Sequence, residues 1–442
     1  MTGLSLLNIP PTSAAMDSIW CDETFLNASL EIERSWVMAA IAEGFAPDSL
    51  EAELDAAIER VKANPAPIFA GTLSAGRPVA PLVDELLENA SQELQQVLHL
   101  GLTTQDIIDG ALTLLRGHAI RVILADAEKC RANLQDLAAR HSTTVMLGRT
   151  NLQAASPITF GLFVAEGCGE LQRNCDRIRQ RHTAAQTVTL SGAVGLSAPF
   201  AEKSDAVRHR AAADLGLSYD PKMRSAPRDH IIDLLFAAGL LAKGLGRMAR
   251  SISHLQSDAT GELAEARSGG SSAMPHKQNP RLAERIIMLS GQVDGILLNL
   301  MNATQTLHQR SGDSWMAEWV GMAAMFQCVH AQILSFLTLT ETLVVEQQRM
   351  RDNLNHHGLA VLSDRLFTAL SAAVGRHQAK PIVKAALAER ISIDRLIAFL
   401  EHHVSPQQAR TIAAACSLEA IIESAQNQQA CMIEDLEAAA LG

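Results

Sequence analysis

The sequence predicts an all-α protein built around a bundle of long helices. Three observations carry this. Of the 442 residues 48% are hydrophobic but only 4% aromatic, with a single Tyr. Abundant alanine and leucine suit close-packed helices better than sheets. Five long segments repeat apolar residues every three or four positions. Between them lie short stretches rich in Gly, Pro and Ser, where that period fails.

The elements follow in order. Phe25, Ala28, Ile32, Trp36 and Ala39 mark one face of an early helix. Asn64-Pro65-Ala66-Pro67 and the irregular stretch 71–81 interrupt, before a short helix from Leu82. The first long helix is predicted over 107–141, with Ile108, Leu112, Leu115, Ile120 and Ile123 on its apolar stripe. Thr103 is placed as its N-cap and Asp106 adds negative charge to the first turn. After a loop at 146–151, helix resumes near Pro157 and runs to about Val188. A small-residue turn follows at 191–195. Further long helices are predicted over 231–267, 280–307 and 316–347, with a break at 308–315. Helices of roughly 30 residues span about 45 Å, so five of them suggest an elongated bundle. Beyond residue 346 the helices shorten. The expected domains are 1–105, an N-terminal helical domain; 106–345, the long-helix bundle; and 346–442, a small C-terminal helical domain.

The formal charge of −11 argues against nucleic-acid binding. It leaves room for an anionic substrate, held by a local cluster of cations and helix N-termini. The seven cysteines are odd in number and form no Cys-x-x-Cys pair, which reads as reduced thiols in a cytoplasmic protein. Cys168 and Cys175, two helical turns apart, read as one packed face. There is no basic-then-apolar N-terminal segment, and no stretch reads as a membrane span. The paired histidines, His356-His357 and His402-His403, are adjacent and cannot share a helix face, so no metal site is expected.

The most informative stretch is 268–280, Ser-Gly-Gly-Ser-Ser-Ala-Met-Pro-His-Lys-Gln-Asn-Pro. It has no apolar period and carries hydroxyls, a lysine and an amide on a loop shaped by glycine and proline. It resembles the signature loop of the fumarase/aspartase superfamily, Gly-Ser-Ser-x-Met-Pro-x-Lys-x-Asn. Two further stretches resemble the family's other motifs in the expected order. They are His99-Leu100-Gly101-Leu102-Thr103-Thr104-Gln105-Asp106, and Gly148-Arg149-Thr150-Asn151-Leu152-Gln153 with Pro157 and Thr159. The resemblance covers most of residues 20–360.

That resemblance implies a reaction in which a proton leaves the carbon beside a carboxylate while a C–O or C–N bond breaks at the next carbon, or the reverse. The second negative charge that develops must be met by fixed donors, each contributing about 3–4 kcal/mol. By resemblance Ser271 is the catalytic serine, its alkoxide stabilised by neighbouring donors. Substrate binding falls to Lys277, Asn279, Thr103, Thr104, Arg310, Ser272, Arg149, Thr150 and Gln153. His276 reads equally as a spacer or a participant. Thr103 and Thr104 at a helix start suit an anion, and Arg310, in a break between long helices, suits a carboxylate clamp. No cofactor is implied. The family resemblance further implies a homotetramer with a twenty-helix core and sites built from three subunits, so that a dissociated monomer is inactive.

Within the superfamily the closest resemblance is to bacterial 3-carboxy-cis,cis-muconate cycloisomerases, through Arg310-Ser311-Gly312-Asp313-Ser314-Trp315-Met316-Ala317-Glu318-Trp319. This implies a small tricarboxylate substrate, lactonised in protocatechuate (beta-ketoadipate) degradation. Many superfamily lyases carry a histidine where this chain has Asn151, and an amide does no acid–base work near neutral pH. Departures exist: Thr104 replaces a usual serine, and Arg77 is an unusual cation in a region that faces substrate in relatives. Adenylosuccinate and argininosuccinate lyases, whose usual motifs differ here, and a non-catalytic scaffold are the alternatives.

Overall fold

The computed structural model describes residues 13–222, 225–266, 269–270, 274 and 276–440, the last eight by backbone only. Helix dominates. The five long patterns form Thr104–Arg140, Phe160–Ala185, Asp229–Leu255, Arg281–Asn302 and Gly312–Thr342. The all-α class therefore holds, with short two-stranded pairings at the helix ends.

Two of those pairings replace predicted helix. The second long helix was expected to begin near Pro157. Instead Gln153–Thr159 pairs antiparallel with Val145–Thr150. The helix starts at Phe160, where the Thr159 hydroxyl accepts from Leu162 N at 3.1 Å. The third helix was expected to reach 267 but stops at Leu255. Gly261 takes φ +61°, and Leu263–Glu265 then pairs with Leu343–Val345. A helix-period pattern over 256–267 loses here to non-local strand pairing, which no local count of apolar residues detects.

The chain forms two compact units. One comprises Met1–Ala125, Asn174–Ala242 and Leu289–Ala331; the other Asp126–Arg173, Lys243–Met288 and Gln332–Gly442. All five changeovers fall within the long helices.

In the first unit, Leu30, Val37, Leu54, Leu82, Leu86 and Leu94 form an apolar cluster with exposures of 1% or less. The Trp36 ring packs at 5.6 Å from Phe200. Asp106 is buried at the start of the Thr104–Arg140 helix. It accepts from Thr103 N (3.1 Å), Thr189 Oγ1 (3.1 Å), Ser191 N (3.2 Å) and Gly192 N (2.9 Å). The predicted first-turn charge is thus a hub that ties the helix start to the 189–192 turn. Burial pushes its carboxyl up to about 6, against the four hydrogen bonds.

In the second unit, Leu366, Leu370, Ala386, Leu400 and Ala409 are fully buried in a cluster spanning 359–421. Cys168 of this unit and Cys175 of the first are both buried, as their spacing predicts. Glu265 accepts from Leu282 N (2.9 Å) and Ala283 N (3.1 Å), the first free amides of the Arg281–Asn302 helix.

Gly312–Thr342 has the length and hydropathy of a membrane span. Its most apolar window is 67% buried within the protein, as in a core helix.

Candidate active site

In the first unit the site residues are organised by the start of the Thr104–Arg140 helix. Thr103 sits at the N-cap, and Asp106, three residues on, accepts its backbone N–H, half of a capping box. Thr104 is the first helical residue and half-buried. The Thr103 hydroxyl faces Arg310, whose Nη1 donates to it at 3.1 Å. Arg310 Nε donates to Gln105 Oε1 at 2.6 Å. The structure therefore brings together two residues 207 positions apart, both singled out from sequence.

Behind this pair lies a buried network that sequence reasoning did not find. Gln105 Nε2 donates to Asp109 Oδ2 at 3.1 Å and to Ser225 O at 3.4 Å. Asp109 also accepts from Arg228 Nη1 (2.8 Å) and Trp315 Nε1 (2.8 Å). Arg228 in turn donates to both carboxylate oxygens of Glu318, through Nε at 2.8 Å and Nη2 at 2.5 Å. Burial works against the Arg228 charge, but the Asp109 and Glu318 carboxylates raise its pKa above the ordinary arginine value. The available signal was the i, i+4 spacing of Gln105 and Asp109 on one helix face. Arg77 places its guanidinium 5.2 Å from the Trp315 ring centroid, a cation–π contact.

In the second unit the Val145–Thr150 and Gln153–Thr159 strands are joined by a two-residue turn. Its central residues, Asn151 and Leu152, have φ of 51° and 62°, the positive pair that a type I′ turn requires. The register shifts between Leu147 and Arg149. Gly148 occupies that bulge, and a Cβ there would lie 2.4 Å from Ser156 O. Arg149 turns inward. Its Nη1 donates to Glu262 Oε2 at 2.9 Å and its Nη2 to Glu262 Oε1 at 2.5 Å. Thr150, Asn151 and Gln153 are exposed. Arg149, Thr150 and Asn151, with Arg250, Ser251 and His254, line a cavity of about 750 Å³.

The signature stretch also lies in this unit. Gly269–Gly270 pairs antiparallel with Gln278–Asn279. Lys277 and His276 are exposed and Asn279 is half-buried. Ser271 and Ser272 lie outside the described residues.

The family of lyases matches residues 11–295. The 3-carboxy-cis,cis-muconate cycloisomerase of Pseudomonas aeruginosa is 31% identical over 84% of this chain and 82% of its own. Nitrosuccinate lyase of Streptomyces davaonensis is also 31% identical, over 85% of this chain and 81% of its own. The crystal structure of 3-carboxy-cis,cis-muconate lactonizing enzyme from Pseudomonas putida superposes with a TM-score of 0.80 at 27% identity. That match covers 96% of this chain and 98% of the other. With the family matched over more than half its length and its motifs in order, the chain is an enzyme of the lyase family, the fumarase/aspartase superfamily.

Proposed function

We propose that the enzyme lactonises 3-carboxy-cis,cis-muconate to 4-carboxymuconolactone, a step of protocatechuate (beta-ketoadipate) degradation, as a cytoplasmic homotetramer. One substrate carboxylate oxygen adds across the conjugated double bond. The electron pair moves onto the neighbouring carbon and into its carboxylate, and Ser271 delivers the proton to that carbon. In reverse, Ser271 removes the proton and the ring carboxylate leaves. Lys277, Asn279, Arg310 and the helix end at Thr103 and Thr104 offer positive potential to the carboxylate that carries the extra charge. By the family resemblance this reading also assigns substrate binding to Thr150, Gln153 and Ser272, and keeps His276 and Arg77 as further candidates. Arg149 serves by holding the hairpin through Glu262.

The observation that carries this reading is Asn151, exposed at the hairpin tip and lining the cavity of about 750 Å³. An amide supplies no proton to a leaving group. A carboxylate leaving group needs none, whereas an amine or alkoxide does. The same argument admits a nitrite leaving group, which makes β-elimination from a nitrosuccinate the second reading, supported by the lyase of that name, also 31% identical.

The test is ultraviolet loss of the conjugated diene on adding protein to 3-carboxy-cis,cis-muconate, with Ser271→Ala in parallel. Rapid loss with the native serine alone is the expected result. Fumarate released from adenylosuccinate or argininosuccinate, or fumarate with nitrite from nitrosuccinate, and no diene loss, would replace the substrate while keeping the loop chemistry.

A further inference from the structure

Among the described residues Arg310 is held by neutral groups only. Its Nε and Nη1 donate to the amide oxygen of Gln105 and the hydroxyl of Thr103. Its Nη2 is buried without a hydrogen-bond partner among the described residues. No carboxylate among those residues forms an ion pair with it, although two lie just behind it in the network. Asp109 and Glu318 are instead taken up by Arg228. A guanidinium with free N–H groups and an unneutralised charge is suited to a carboxylate from outside the chain.

Gln105 stands between these two charge systems and is 3% exposed. Its orientation is dictated from both sides. A guanidinium only donates, so the amide oxygen must face Arg310. A carboxylate and a backbone carbonyl only accept, so the NH₂ must face Asp109 and Ser225 O. A flipped amide would lose all three bonds. Gln105 therefore passes the fixed position of the Asp109–Arg228–Glu318 cluster on to Arg310 without passing on its negative charge. A glutamate would fit the same space but would neutralise the arginine.

We infer that Gln105 is a positioning residue for Arg310, holding it aimed and uncompensated so that it takes a carboxylate of the substrate. This deepens the function proposed above and rests on its carboxylate clamp.

The test is calorimetric titration of the assembled protein with propane-1,2,3-tricarboxylate, an unreactive tricarboxylate. Four proteins are compared: the wild type, Gln105→Met, Arg310→Ala and the double variant. Each single change is expected to weaken binding about tenfold or more. Because Gln105 acts through Arg310, the double variant should bind within about twofold of Arg310→Ala. Additive losses, an unaffected Gln105→Met, or a wild type that does not bind would each overturn the inference. If Gln105→Met fails to fold, Gln105→Glu keeps it testable. With Arg310 neutralised by the new carboxylate, its binding at pH 7 is expected to be about as weak as that of Arg310→Ala. Wild-type affinity in Gln105→Glu overturns the inference. Tricarboxylate binding without turnover of 3-carboxy-cis,cis-muconate would defeat the proposed reaction and leave the role of Gln105 standing.

Discussion

Arg149 and Glu262 meet side-on, with two parallel hydrogen bonds of 2.9 and 2.5 Å between guanidinium and carboxylate. The Glu262 side chain is fully buried and also accepts from Asn353 Nδ2 at 2.7 Å. A charge in that position needs its partner. Arg149→Ala strands the carboxylate and is expected to cost about 3–5 kcal/mol, read as a lower urea midpoint. Glu262→Gln added to it should recover part of the loss. If Arg149→Ala unfolds at the wild-type midpoint, the pair is not an anchor.

Leu152 is 73% exposed yet sits at φ 62° in the hairpin turn. A left-handed conformation costs a non-glycine residue about 1–2 kcal/mol, and little packing repays it here. Leu152→Gly should raise the melting temperature, the net gain being about 1 kcal/mol or less after the entropy glycine loses on folding. Thermal unfolding decides this. A gain in stability with a loss of turnover would mean that the strain serves the site.

Gly101 lies two residues before Thr103, with φ +74°. A Cβ there would approach Ser197 Oγ to 2.5 Å and Pro199 Cγ to 2.7 Å. Gly101→Ala combines a left-handed penalty of about 1–2 kcal/mol with that overlap. It should lower stability by more than 2 kcal/mol, on the order set by the two costs together, and displace the Thr103 helix start. Its urea midpoint is the measurement, and an unchanged midpoint would show that the 99–106 stretch yields freely.

His99 Nδ1 lies 2.5 Å from Glu33 Oε1. Desolvation of the ring opposes its charge, but the Glu33 hydrogen bond and charge, with Asp106 nearby, outweigh it and raise the pKa above the ordinary 6.5. The unfolded chain then holds fewer protons than the folded one between those two values, so stability falls with rising pH there. The contribution is full below about 6.5 and is lost as pH passes the raised folded value. The melting temperature of the wild type should exceed that of His99→Gln most below that range, with the gap closing in alkali. A gap that widens with pH would contradict the pairing.

The sequence by itself determined the helical class, the five long helices to within a few residues at most ends, and the three motif stretches with the chemistry they imply. These are local matters: apolar period, caps, and glycine or proline punctuation act over a few residues. The Gln153–Thr159 and Leu263–Glu265 strands were not legible, because each depends on a partner segment rather than on its own pattern. The network at Gln105 was not legible either. Asp109 looks like any polar residue of a helix face until folding brings Arg228 and Trp315, 119 and 206 residues away, to its carboxylate. The same holds for Arg149 and Arg310. Both are arginines within motifs, but one is neutralised by buried Glu262 and the other is held by an amide and a hydroxyl. Only the tertiary structure decides which charge is spent inside the protein, because that depends on what is buried beside it.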